Sequence, residues 1–493
     1  GNLLLCPVGR KGAADRGTGW LPSPAPAPAR PPQLMRALKG HIPKLMRHPC
    51  GSAVVIDLYA VASSSQRNTM VAEFYGRDFQ LFDAREADAA HGLADRMRTL
   101  TPTQRKQTLQ HLSINLTPII EKGLVDSELI HRLIWEYVEN GSPAMMAEVI
   151  DNLAGPFLLR MVHTRNGART ACAVLREGGA KDRKKVVKAM KDHVRSLAED
   201  EYGHLALVAA LSTVDDTTLL RKSIGGPLQS MMGDALRHKY ARRVLLHLLA
   251  PFNNRYLPAE YHDWVRPAPV SESEARGGED GEAGDEGDED GAGGASSGRG
   301  VSRKDPDLRR REVLGSGPGS LSESVVAAVE ADAGALIRDF HGADCLVEVA
   351  RGGEGATLAE VCSEGVERAQ DMIVQMAAAA RDHGDDDAGG EEHVLLNYVA
   401  NRALRRLLIL GRTDETVRRF AQKLWDGALK GRCKEWFGSH ADKVLAAVLS
   451  CGDVAVEKAA TEELQPLVAK QGGAGGLQEW AVSHGLAKAS KKK

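Results

Sequence analysis

"HKYARRVLLHLLAP", residues 238–251, sets Arg242 and Arg243 in front of an unbroken aliphatic run, where a single charge would serve solubility. The layout recurs upstream. "EDEYGHLALVAAL" (199–211), "TRNGARTACAVL" (164–175) and "HPCGSAVVIDLY" (48–59) each give a polar lead, a small residue, two variable positions and an aliphatic ladder. "LVDSELIHRLIWEYV" (124–138) fits with Asp126 in the small-residue slot. If Gly51, Asp126, Gly167, Gly203 and Ala241 are equivalent, the intervals are 75, 41, 36 and 38 residues. A spacing of that size, with one interval about doubled, predicts stacked helical repeats and an insertion or decayed unit in the long interval.

Composition points the same way. Aromatic residues make up only 4% of the 493, and the Ala, Leu and Val that dominate suit packed helices better than strands. The expected fold is therefore all-α, an α-solenoid in which no unit buries its apolar stripe alone and neighbours supply the core. The net charge of −2 conceals a strong polarity along the chain. Residues 160–195 carry eleven Lys or Arg against three acids, whereas 272–290 hold ten acids and one Arg, a composition that cannot build a core.

Several function classes are excluded. The seven cysteines are scattered without a CxxC pair and read as reduced thiols, and no histidines stand at metal spacing beside them. No run of eighteen apolar residues occurs, so no membrane span is expected. There is no P-loop, GxSxG or HExxH, and no carboxylate pair in an apolar setting. The chain is read as a non-enzyme with no cofactor, no metal and no small-molecule substrate.

Five segments are expected: a disordered or truncated stretch at 1–33, helical repeats over 34–258, an acidic Gly-rich linker at 259–303, a helical domain over 304–485 with less regular repeats, and a basic tail at 486–493. Residues 83–100 read as the insertion in the long interval, and 381–392 as a second insertion. Because the linker reads as flexible, the sequence leaves the orientation of the two helical halves open.

The segments "QRNTMVAEFYGRDFQLF", "IEKGLVDSELIHRLIWEYVE", "DRKKVVKAMKDHVRSLAEDEYGHLALVAALSTVDDT", "HKYARRVLLHLLAP" and "KDPDLRRREVL" resemble the Penguin or Puf-A branch of pumilio-repeat proteins with a C-terminal CPL domain. The resemblance implies three-helix pumilio-type repeats, with degenerate ones in the C-terminal half. It also implies about eleven repeats in an L-shaped array, so several are expected to be missing from this chain. It further implies RNA and DNA binding without strong base preference, a place in the nucleus and nucleolus, pre-rRNA as a partner, and work in rRNA processing on pre-ribosomal large-subunit particles. Translational regulation of messages is a second activity that it implies.

In pumilio repeats that read sequence, two adjacent side chains of the middle helix and a third, three residues on, face one base. The corresponding trios are Ser52, Ala53 and Ile56; Ser127, Glu128 and His131; Ala168, Arg169 and Cys172; His204, Leu205 and Val208; and Arg242, Arg243 and Leu246. An Ile, Val or Leu in the third place has no hydrogen-bonding group for a base edge, so most repeats cannot run a base code. Arginines in these slots can still grip phosphate or stack. The candidate RNA-binding residues are accordingly Arg169, Arg242, Arg243, Lys239, His204, Lys184, Lys185, Lys188, Ser52 and His131. His131 and His204 read first as half-buried packing or ridge residues and only second as base contacts, and Trp135, Trp425 and Trp436 as core or inter-repeat packing. The alternatives are a HEAT- or armadillo-like scaffold whose concave arginines bind an acidic peptide, and a pumilio-type translational regulator.

Overall fold

In a computed structural model the chain is described over residues 31–76, 93–268, 300–380, 392–470 and 476–486. The N-terminal stretch 1–30, the aromatic-rich exit at 77–82, the acidic run and the tail from 487 lie outside the described residues. Among the described residues every regular element is helical.

Among the described residues eight inner helices carry the architecture: α1 (Pro49–Val61), α2 (Glu128–Asn140), α3 (Arg165–Glu177), α4 (Gly203–Thr213), α5 (Ala241–Leu249), α6 (Gly342–Arg351), α7 (Tyr398–Leu410) and α8 (Asp442–Val448). From α2 to α8 each packs on the next, forming one continuous ladder. A second row of helices covers its outer side, among them Ala180–Met190, Thr217–Leu220, Pro306–Leu314 and Ser363–Ala378. The core lies between the two rows.

One local device starts nearly every inner helix. A polar side chain three residues before the small slot accepts that slot's backbone N–H: His48 from Gly51 at 3.4 Å, Thr164 from Gly167 at 3.1 Å, Asp200 from Gly203 at 2.7 Å, His238 from Ala241 at 3.3 Å, Asp339 from Gly342 at 2.6 Å and Asn397 from Ala400 at 3.1 Å. Such caps satisfy donors that the first turn leaves orphaned. The slot itself is small because the chain doubles back tightly. A Cβ on Gly167 would stand 1.9 Å from the Met161 carbonyl oxygen.

This device corrects the register of the second repeat. Ser127 is the cap there, accepting from the Ile130 N–H at 3.3 Å. The slot equivalent to Gly167 is thus Ile130 rather than Asp126, and the facing trio becomes His131, Arg132 and Trp135 instead of Ser127, Glu128 and His131. An aliphatic residue in the slot hid the equivalence.

The expected division at the acidic linker also changes. Residues 259–266 are ordered, as a 3-10 turn (Ala259–Tyr261) and a short helix (His262–Val265), and 300–304 pack back onto the array. Helix Pro306–Leu314 then takes its place in the outer row between Thr217–Leu220 and Thr357–Val361. Its Arg309 donates to the Ser212 carbonyl and, at 2.8 Å, to Asp215, while Arg310 reaches the Leu248 carbonyl at 3.2 Å. In sequence the acidic run therefore falls between the inner helix α5 and the outer helix Pro306–Leu314 that pairs with it, and α5 packs directly on α6.

Candidate nucleic-acid interface

The arginine pair at 242–243 faces its own chain. Arg242 is buried and donates to Asp344 of α6 at 2.7 Å. The same carboxylate takes Arg255 at 2.8 Å and Arg406 at 3.2 Å. Arg406 also reaches Glu348, which accepts from the Tyr256 hydroxyl at 2.5 Å and pairs with Arg351 at 3.3 Å. A cluster of cations and carboxylates thus ties three successive inner helices together. Arg242 belongs to this tie and is corrected as an RNA contact.

Arg243 leans the other way. Its guanidinium lies 5.5 Å from the Tyr240 ring centre and donates to His204 Nε2 at 3.4 Å. His204 is fully buried, stacked on Tyr240 at 5.4 Å, with Nδ1 3.1 Å from the Asp200 carbonyl. Because Nε2 accepts, the proton sits on Nδ1. His131 is equally enclosed, with Nε2 2.6 Å from the Val125 carbonyl, which can only accept, and Nδ1 2.7 Å from the Thr164 hydroxyl. Neither imidazole can reach a base. Ser52 is buried as well and spends its hydroxyl on the Pro49 carbonyl at 2.8 Å.

A strap that the sequence did not announce covers the inner face of α3 and α4. After α5 the chain turns back, and the segment 259–266 lies across both helices. Glu260 pairs with Arg165 at 2.7 Å, and the Asp263 carbonyl accepts from Arg176 at 3.0 Å. Trp264 sits 5.0 Å from the Arg169 guanidinium, whose other neighbour is Trp135 at 4.0 Å. Arg169 is held between two indoles and paired with Glu139 at 3.4 Å. Arg169, half-buried, is therefore engaged by its own chain, by Trp135 and Glu139 on α2 and by Trp264 of the strap. The aromatic stretch "AEYHDWV" was the available signal, since a disordered acidic linker has no use for Tyr261, Trp264 and Val265.

The lysines lie elsewhere. Lys184, Lys185 and Lys188 stand exposed on the solvent side of the outer helix Ala180–Met190, with Lys181 and Lys191 on the same stripe. Lys185 has a loose contact with Asp182 at 3.5 Å. Arg183, from the opposite face of that helix, is buried and donates to the Leu175, Arg176 and Gly300 carbonyls. Lys239 is exposed and rests on Tyr240, its Nζ 4.7 Å from the ring centre. The ten candidates are therefore split among buried inner residues (Arg242, His204, His131, Ser52), the half-buried Arg169 and Arg243, an outer lysine stripe, and one lysine at the inner rim.

Burial holds three imidazoles neutral. It pulls His131 and His204 down to about 4 and His247 to about 3, from an ordinary 6.5. Below pH 6.5 the unfolded chain takes up these protons and the folded chain does not. Their contribution to stability is whole above that pH and is lost progressively as pH falls toward 4. Urea midpoints are expected to hold between pH 7.5 and about 6.5 and to fall from there to pH 4.5, and His131→Gln should flatten the decline.

No family model matches the chain. It is 34% identical over 452 residues to Pumilio homolog 24 of Arabidopsis thaliana, covering 88% of this chain and 68% of that protein. It is 26% identical over 447 residues to human Pumilio homolog 3, covering 89% of this chain and 62% of the relative, so it spans under two thirds of that protein. Its fold is similar to the crystal structure of human Puf-A, with a TM-score of 0.70 at 25% identity over 90% of this chain and 79% of that one. It is similar also to human Puf-A in complex with DNA, with a TM-score of 0.68 at 25% identity over 89% and 78%. Sequence and ladder together show that the chain belongs to the pumilio-homologue family, as a Puf-A-like repeat protein.

Proposed function

We propose that this protein binds structured RNA, and DNA, through the phosphate backbone without a base code, in nucleolar pre-rRNA processing and large-subunit assembly. The observation that carries the binding half is the lysine stripe, where Lys181, Lys184, Lys185, Lys188 and Lys191 stand on one exposed outer face. Three things support backbone over base recognition. The third-place side chains Val208, Leu246 and Cys172 are buried, out of reach of a base edge. The arginines that would stack are engaged within the chain. A human Puf-A structure is a complex with DNA, whereas sequence-reading pumilio repeats take single-stranded RNA. The cellular half rests on membership in the family.

The test is a salt titration of binding to a structured RNA and to an unrelated duplex. Lys184→Ala/Lys185→Ala/Lys188→Ala is expected to weaken both alike and to reduce the slope of log K against log salt by about 0.9 for each phosphate that is no longer neutralised. An unchanged slope would move the interface off this helix. Crosslinking the tagged protein in cells and sequencing the bound RNA tests the pre-rRNA assignment.

A further inference from the structure

Two cations of the outer row stand without a partner. The outer helix Thr217–Leu220 runs on into a π-helical turn, Arg221–Gly225, and then into Gly226–Ser230. Arg221 and Lys222, on that turn, are exposed, and among the described residues neither has an ion pair or a side-chain hydrogen bond. The arginines around them are spent: Arg195 on Glu199 and Asp234, Arg309 on Asp215, and Arg311 on Glu360. Glu312, an acid within electrostatic reach of Arg221, is held by Lys304 and by the Thr217 hydroxyl at 2.6 Å.

Facing the turn, the chain leaves helix Pro306–Leu314 through "GSGPGS" (315–320) before it enters helix Leu321–Arg338. Gly315, Gly317 and Gly319 have φ of +66°, +79° and +79°, backbone that glycine adopts without a steric cost. Gln229 ties the loop to the outer helix by donating to the Gly319 carbonyl at 2.9 Å. Between them lies a groove of about 250 Å³, with Arg221, Lys222 and Thr218 on one wall and Gly315 and Gly319 on the other. A Cβ on Gly315 would stand 3.5 Å from the Arg221 guanidinium, so the cation reaches across the groove. No carboxylate is among the described residues that line it.

Size and charge limit what the groove would hold. It is smaller than the roughly 300–1,000 Å³ of ordinary small-molecule pockets, which leaves room for a compact anion on a short stem. Two cations balance the charge of about −1.5 to −2 that a phosphomonoester carries near neutral pH. A carboxylate, or the phosphodiester of a nucleic-acid backbone, carries one charge and would leave a cation unmatched. The guanidinium fork of Arg221 fits two phosphate oxygens at once, with Lys222 beside it as a point charge.

We propose that this outer groove is a phosphomonoester site, with Arg221 and Lys222 on the phosphate oxygens and Thr218 and the second amide proton of Gln229 as neutral donors. The site lies on the outer row, shares no residue with the lysine stripe and does not rest on the nucleic-acid reading. Its turn packs against the stripe's helix Ala180–Met190. The same chemistry therefore serves a free phosphorylated molecule or the phosphorylated end of a strand lying on the stripe.

The probe is inorganic phosphate, titrated calorimetrically into the full chain at constant ionic strength in chloride. Saturable binding is expected, and Arg221→Ala/Lys222→Ala should weaken it on the order of 10-fold or more, the loss that follows removal of hydrogen bonds to a charged group. Lys184→Ala/Lys185→Ala/Lys188→Ala should bind phosphate as wild type does. Arg221 and Lys222 are exposed, so an unchanged circular dichroism spectrum and melting temperature in chloride identify the loss as local. Absence of saturable phosphate binding by the wild-type chain would overturn the inference, as would equal binding by wild type and the Arg221/Lys222 variant. Short oligonucleotides of one sequence, with a 5′-phosphate or a 5′-hydroxyl, then separate the sources. A preference for the phosphorylated strand that the Arg221/Lys222 variant abolishes assigns the groove to strand ends. Equal binding of the two strands, with inorganic phosphate still bound, assigns it to a free phosphorylated molecule.

Discussion

Asp344→Ala is expected to lower the free energy of unfolding by about 3–5 kcal/mol, the range for removing one partner of a buried ion pair. The carboxylate is the acceptor on which Arg242, Arg255 and Arg406 converge, and the Arg242–Asp344 pair is closed to solvent, with side-chain exposures of 7% and 8%. Without it Arg242 is left as an uncompensated cation in the seam between α5 and α6. Replacing both members by apolar residues, Arg242→Met/Asp344→Leu, should recover most of the loss, because no charge is then stranded. Chemical denaturation followed by circular dichroism decides it. Loss below about 1 kcal/mol in the single variant would mean that the pair is solvated and contributes as a surface bridge does. The result bears on function too, since an Arg242→Ala variant that fails to bind RNA would do so by loosening the array.

Gly167→Ala is expected to cost about 3 kcal/mol, at the upper end for forcing atoms into a packed site. In an exposed helix the same change usually stabilises, by up to about 1 kcal/mol, because Ala loses less backbone freedom on folding. Here the added Cβ would stand 1.9 Å from the Met161 carbonyl oxygen, and that atom is backbone. The turn before α3 must therefore open. Gly233→Ala is the control: a Cβ there meets nothing within 4 Å, and it should hold or raise the melting temperature. Equal effects at the two positions would show that the tight return before the inner helix is not a structural requirement.

The slot glycines show how far the sequence could be read. Gly51, Gly167 and Gly203 fall at one place in their repeats because a cap three residues earlier and a close backbone approach are both local, and local constraints write themselves into short patterns. Ile130 broke the pattern by filling the slot with an aliphatic side chain, which moved the apparent register of α2 by four residues. Lys184, Lys185 and Lys188 were legible as an exposed stripe because helical periodicity alone puts them on one face.

Arg169, Arg242, His131 and His204 were not legible in that way. Each sits where a base-contacting residue would sit, and its fate depends on what arrives from elsewhere in the chain: Trp264 from nearly a hundred residues away, Asp344 from beyond the acidic run, and Thr164 from the next repeat. A cation before an aliphatic ladder reads the same whether it waits for a phosphate or closes a seam. The sequence by itself determined the repeat, its caps and the charge on its outer face, since these depend on residues a few positions apart. Only the tertiary structure decided that Arg169 and Arg242 are engaged within the chain and that the acidic run splits one repeat, since those depend on which distant segments pack across the ladder.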